Sequence, residues 1–270
     1  MGLADPTTLF DRDDEDGNPY QEPINLTAPQ KYLFPIYEEG IQRTFDLAGD
    51  DDVHLIVNGD MTQGNHFSED LSQPLERDQI QMATTAIARF ARDKRVKSIR
   101  LTRSTRLHAY KESSADKSIT RNLKDMVPEK NIRLVAHGVA TVSGVRLDYS
   151  HHGPPAGARS WLKGNLLYYY TKSLIDRCIK NRLPIPHAVI RAHKHERVEI
   201  YVVDWRMDER IKVVGITVPS FQMMTGHAQK ATNSEQEITN GMVNLEIEDA
   251  KITDVHWYTK TRSLPARENL

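Results

Sequence analysis

The chain alternates short apolar runs with stretches that carry an apolar residue every three or four positions, the pattern of strands interleaved with amphipathic helices. Leu33, Ile36, Ile41 and Phe45 recur at helical spacing from Ala28 onward, with Pro35 expected near the first turn of that helix. Val53-His54-Leu55-Ile56-Val57 is nearly continuous in apolar character and predicts a short buried strand ending at Asn58-Gly59-Asp60. Ile80, Ala83, Ile87, Phe90 and Ala91 predict a second helix. Residues 96–101 predict a second strand, which leads into Ser104-Thr105-Arg106-Leu107-His108.

After Pro128 the pattern turns to β. Residues 132–136, 139–142 and 145–149 read as short strands separated by Gly138 and Gly144. Residues 160–181 predict a long helix rich in Leu and Tyr, followed by a strand into His193. Further strands are expected over 198–203, 211–218, 242–247 and 252–258, with 223–241 as a polar loop. The first thirty residues show no core-facing period, and Asp11-Arg12-Asp13-Asp14-Glu15-Asp16-Gly17-Asn18-Pro19 is acidic and turn-rich. The organisation expected is an acidic arm over 1–30, one α/β domain over 31–262 with two packed sheets and outer helices, and a tail over 263–270.

Composition narrows the function classes. With 270 residues, 39% of them hydrophobic, the chain can bury a large core. A formal net charge of −1 gives no bulk attraction to nucleic acid or membrane, although a local basic groove can sit inside a neutral total. Arg89, Arg92, Lys94, Arg95 and Lys97 form such a cluster, whose simplest expectation is the solvated face of a helix. The single cysteine, Cys178, permits no internal disulfide and is expected as buried packing. Without a signal-peptide pattern or a long apolar run, a cytoplasmic protein with no membrane partner is expected. The acidic arm lacks the twelve-residue pattern of a calcium loop.

The candidate chemistry gathers where apolar runs stop. His193 and His195 follow Ala188-Val189-Ile190, and in an extended strand end residues i and i+2 point to the same side. Both imidazoles can therefore face one metal or a pair of metals. Asp60 taken alone is a turn or capping residue as readily as a ligand. His151 and His152 alternate faces, so one ligand is expected from the pair, and His152, beside Gly153, is the one chosen. Carboxylate and imidazole without thiolate suit manganese, iron, zinc or nickel. Two such cations would grip a phosphate ester and activate a water.

Asn58-Gly59-Asp60, Ser150-His151-His152-Gly153 and Ala192-His193-Lys194-His195 resemble, in order, the second, fourth and fifth motifs of the calcineurin-like metallophosphoesterases, closest to the phage and prophage branch. The resemblance implies a four-layer αββα sandwich and hydrolysis of a phosphate ester, with phosphodiester or nuclease chemistry favoured and nucleic acid a candidate substrate. It also implies a dinuclear site. By that resemblance Asp60 bridges two divalent cations, His152 and His193 bind the second, and His195 binds the first. Ser104-Thr105-Arg106-Leu107-His108 resembles a third-motif variant and makes His108 the candidate acid or ligand. Gly64-Asn65-His66 spells the usual third motif but follows Asp60 too closely, so Asn65 and His66 are expected beside the site, near substrate. Ala192 replaces the glycine that normally opens the fifth motif, which is tolerable if its φ stays negative. The first motif, Asp-x-His on an opening strand, has no match, and Asp5 lacks the following histidine. A shortened form missing the first strand, with impaired activity, is therefore expected; the alternative expectations are a catalytically silent metal- or partner-binding module, or a nucleic-acid-binding protein working through the basic region from Arg89 to Arg103.

Overall fold

The computed structural model describes residues 2–65, 71, 73–106, 108, 114–155, 162–206, 209–223 and 237–263. Within them the chain is mixed α/β, with four α-helices and several sheets.

The expected acidic arm is a docked hairpin. β1 (Leu9–Asp13) pairs antiparallel with β2 (Pro19–Pro23) across a turn in which the Asp14 carboxylate accepts the N–H groups of Asp16 and Asn18. Phe10 is buried with Met82, and Arg12 forks onto Asp78 with two bonds of 2.9 and 2.7 Å. One apolar anchor in a polar strand is too sparse to register as a period, yet it and the ion pair hold the hairpin.

α1 (Ala28–Ala48) starts where the Gln30 side-chain oxygen accepts the Thr27 N–H at 2.9 Å. That start places Pro35 inside the helix, beyond the first turn expected for it. β3 (Val53–Val57), β4 (Val96–Thr102) and β5 (Asn131–Val135) form a parallel sheet in that order. α2 (Glu76–Ala91) connects the first pair and α3 (Ser114–Met126) the second. α3 buries Ala115, Ile119 and Leu123 at helical spacing, together with the polar Asp116 and Thr120, a short period that the sequence expectation did not include. Helices α1 to α3 share one apolar core with Val96, Ile99, Leu101 and Ile132 of the sheet.

A five-stranded mixed sheet follows. It contains β6 (His137–Val142), β7 (Val145–Ser150), β8 (Ala188–Arg191), β9 (Val198–Arg206) and β10 (Glu209–Thr217), in the order β6-β7-β8-β10-β9. α4 (Asn165–Lys180) covers one face, packing Leu174, Ile175 and Cys178 against Val189, Val202 and Val213. Cys178 thus sits in packing, and burial raises its thiol pKa. The opposite face packs against Ile56 of β3 and against the hairpin of β11 (Glu237–Glu248) and β12 (Lys251–Ser263), through Val243, Leu245 and Trp257.

The polar loop expected over 223–241 overlaps β11 by residues 237–241, whose Glu, Thr and Asn side chains disguise a strand. Residues 224–236 and 264–270, the latter most of the expected tail, lie outside the described residues. Among the described residues β3 pairs with β4 alone, and β11 pairs with β12 apart from one bridge from Asn240 to Ser220. No helix among the described residues is long and apolar enough to cross a membrane. Much of the basic cluster is neutralised: Arg89 pairs with Glu38 and Asp5, Arg95 with Asp93, and Lys97 with Asp52.

Candidate metal centre

β3, β4, β7 and β8 all end at the same edge, and the segments leaving their carboxyl ends meet there. This is the edge where open α/β sheets usually place a ligand. Asp60 follows β3, Thr105 and His108 follow β4, His151 follows β7, and His193 follows β8. The Thr105 N–H donates to Asp60 Oδ1 at 2.8 Å. Asp60 Oδ2 faces three imidazoles: His151 Nε2 at 2.8 Å, His193 Nδ1 at 3.5 Å and His108 Nε2 at 3.9 Å. His151 Nε2 and His193 Nδ1 are 3.2 Å apart.

Two of these rings are oriented by the backbone. His151 Nδ1 lies 2.7 Å from the Asn58 carbonyl oxygen, and His108 Nδ1 lies 3.0 Å from that of Gln63. A carbonyl only accepts, so both Nδ1 atoms carry hydrogen and both Nε2 atoms are directed at Asp60. A histidine fixed through one nitrogen and aimed with the other is the usual arrangement behind a metal ligand.

The electrostatics follow from this packing. Burial alone would raise the Asp60 carboxyl, but the bonds to His151 and His193 outweigh it and hold the group far below the usual carboxylate range. Burial opposes a charge on His151, yet its bond to Asp60 prevails and raises its pKa. His152 is shifted down, by burial and then by the neighbouring His151 and His193. Burial pushes His195 down to about 4, with His193 and His108 adding to the shift and Asp60 opposing it, so His195 is neutral and able to ligate at pH 7.

The backbone is strained at the same place. Asp60, His193 and His195 have φ of 46°, 71° and 54°, three of the seven positive-φ residues other than glycine among those described. Such conformations are uncommon for side-chain-bearing residues and persist where the surroundings enforce them. They also revise the expected geometry of His193 and His195. β8 ends at Arg191, so the two rings owe their placement to a left-handed turn and not to strand alternation. Ala192 keeps a negative φ, and its N–H donates to the His151 carbonyl at 3.0 Å. Gly59 has φ 79°, and a Cβ there would overlap the His151 ring, so a glycine is required both for conformation and for approach.

A supporting layer holds the loops. The Asp116 carboxylate accepts the Ser104 N–H at 2.9 Å and its hydroxyl at 2.7 Å, fixing the segment that carries Thr105. Buried Gln79 accepts the N–H groups of Gln63 and Gly64 and donates to the Gly64 carbonyl, fixing the loop against which His108 is bonded. Thr62 donates its hydroxyl to the His108 carbonyl. Arg191 is fully buried, bonded to Asp148 at 2.6 Å and to the Tyr170 hydroxyl at 2.8 Å, and anchors the end of β8 beneath His193.

The structure brings Asp60, His108 and His193 together, and the charges of Asp60, His193 and His108 act on His195. It also supplies His151, which the sequence reading passed over for His152. His151 is 3% exposed and touches Asp60, whereas His152 is exposed at the rim. Both nonetheless offer a nitrogen to a group with His193 whose ligand atoms lie within 4.8 Å of one another. The signal for His151 was strand parity: it continues the inward face of Leu147 and Tyr149. Asn65 is exposed just beyond the pinned Gly64, and His66 lies outside the described residues. Asp5 is spent on Thr7, Thr8 and Arg89, away from the cluster. No protein-family model matches the chain, and no curated protein matches it.

Proposed function

We propose that this chain is a metal-dependent phosphoesterase, with phosphodiesters as the favoured substrates and Asp60 at the centre of its metal site. One observation carries the reading. Asp60 Oδ2, His151 Nε2 and His193 Nδ1 form a triangle with edges of 2.8, 3.2 and 3.5 Å. Ligands about 2.0–2.1 Å from a common cation stand roughly 2.9–3.4 Å apart, so three such atoms fit one coordination shell. In this reading Asp60, His151, His152 and His193 would hold a cation of the manganese, iron, zinc or nickel type, and His195 beside them would help to hold a second. Bound divalent cations would offset the charge of a phosphate ester and lower the pKa of a water. His108, held through Nδ1 to Gln63, turns Nε2 towards Asp60 and the cluster, where the doubly protonated ring could give a proton to a leaving oxygen.

The packing is compatible with a four-layer αββα arrangement: α1 to α3, then β3 to β5 with β11 and β12, then the five-stranded sheet, then α4. The assay is hydrolysis of a generic phosphodiester with added Mn2+, comparing the wild type with His193→Ala and with a chelated sample. Turnover that depends on both metal and His193 is expected; metal-independent turnover or equal rates would sink the reading.

A second reading, a metal-binding module without catalysis, has its own observation. Asp60 is the one carboxylate among the described residues within 4 Å of His108, His151 or His193. A single carboxylate suits one cation more readily than two. Elemental analysis separates them: two metals per chain favour the esterase and one favours the module.

A further inference from the structure

A second polar concavity lies at the other end of the small sheet, between its inner face and β6 and β7. It is a crevice of about 210 Å³ whose lining includes His54, Ser98, Arg100 and Asn131 on one wall and Ala140 and Leu147 on the other. His54 sits near the start of β3 and Asp60 beyond its end, on the order of 15–20 Å apart along an extended chain. The crevice is therefore separate from the metal centre, and nothing in it depends on the reading given to that centre.

The polar wall is unusual for a surface that faces another sheet. Ser98 stands opposite Asn131 and Arg100 opposite Arg133 in the β4–β5 register, so all four share one face. Like charges directly opposite each other on neighbouring strands repel. Among the described residues neither arginine has a carboxylate within ion-pair distance. Arg100 uses Nη1 on the carbonyls of Ile99 and Asn131, at 3.1 and 2.6 Å, which leaves the rest of its fork available. By contrast Lys97, on the same strand, has Asp52 at 3.4 Å. His54 Nδ1 and Ser98 Oγ, 2.8 Å apart, complete a donor-rich wall facing aliphatic side chains. Both guanidinium charges reach the buried Tyr149 phenol of β7 and oppose the rise that burial imposes on it.

We propose that this crevice is an anion site that takes the phosphate group of a small phosphorylated molecule, held by Arg100 of its lining with Ser98 and Asn131 beside it, and by Arg133 reaching in from the neighbouring position on the same sheet face. A guanidinium fork matches phosphate oxygens in geometry as well as charge, and one bound phosphate would relieve the repulsion between the two arginines. The slot between the sheets is too small for a duplex, and its aliphatic wall suits the apolar body of a small ligand.

Inorganic phosphate is the probe. Calorimetric titration of the full chain is run in chelator at constant ionic strength, so that the metal centre contributes nothing. The variants are Arg100→Gln, Arg133→Gln and His193→Ala. Saturable binding is expected in the wild type and in His193→Ala, weakened at least tenfold in either arginine variant. Arg133 is exposed, so Arg133→Gln keeps the fold, and its melting temperature without phosphate is expected to equal or exceed that of the wild type. Absence of saturable binding in the wild type, undiminished binding in Arg133→Gln, or loss confined to His193→Ala would each overturn the proposal.

Discussion

Asp60 Oδ2 and His151 Nε2 stand 2.8 Å apart, while the other ring nitrogen of His151 is committed to the Asn58 carbonyl at 2.7 Å. A neutral His151 would therefore point a lone pair at a carboxylate. Only a positive charge reconciles the two atoms: a second proton on the imidazole, or a cation ligated by both. Proton and metal compete for one position, and metal uptake must release a proton.

That competition gives the first expectation. Titrating Mn2+ or Zn2+ into the wild type at pH 6 releases protons, seen as a dependence of the calorimetric enthalpy on the buffer's ionisation enthalpy. His151→Ala is expected to weaken the metal by at least tenfold to a hundredfold, the range seen even for loss of groups outside the ligand shell. Unchanged affinity would remove His151 from the centre.

Gly59 supplies a test of the local geometry. Its φ of 79° and the absence of room for a Cβ beside His151 mean that Gly59→Ala meets backbone strain and a clash together. A loss of about 2–4 kcal/mol in unfolding free energy is expected from the two effects. Urea denaturation measures it, and a loss below about 0.5 kcal/mol would show that the turn relaxes freely.

Arg191 and Asp148 make a buried pair at 2.6 Å beneath the end of β8. Truncating Arg191 to Ala leaves buried Asp148 with the His137 ring as its remaining side-chain partner, and a destabilisation of about 3–5 kcal/mol is expected. The same change removes the anchor under His193, so metal affinity should fall with stability. Replacing both partners by apolar residues should restore more stability than metal binding.

The Asp93–Arg95 pair sets a pH dependence far from the metal centre. Bonds from Arg95 hold the Asp93 carboxyl down at about 2, from an ordinary value of 3.8. The depressed value means that its contribution is present above pH 3.8 and disappears as pH falls towards 2. Asp93→Asn should accordingly be less stable than the wild type at pH 5 to 7, with the difference closing near pH 2. A constant difference across that range in acid-denaturation curves would contradict the assignment.

Much of the site was legible in the sequence because each ligand candidate ends an apolar run, and parallel strands deliver their carboxyl ends to one edge. Asp60 and His193 needed no more than that. His151 was passed over because adjacency to Gly153 was weighed above the parity of β7, where Leu147, Tyr149 and His151 share a face. The His193–His195 relation was reached for the wrong local reason, since a left-handed turn is invisible to an argument from strand alternation. The N-terminal hairpin went unseen because its anchors, Phe10 and Arg12, only acquire meaning against Met82 and Asp78, whereas Ala115, Ile119 and Leu123 of α3 carried a short helical period that was legible. Gln79 and Asp116, which fix the loops around His108 and Thr105, carry no sequence signal at all. Buried polar residues that hold backbone are recognised only once the backbone is in place.

The most direct measurement is anomalous diffraction from crystals of the full chain grown with Mn2+ or Zn2+. A peak within about 2.0–2.3 Å of Asp60 Oδ2, His151 Nε2 and His193 Nδ1 together is the predicted result. Strong anomalous density elsewhere with none among these three atoms, or none at saturating metal, would contradict it.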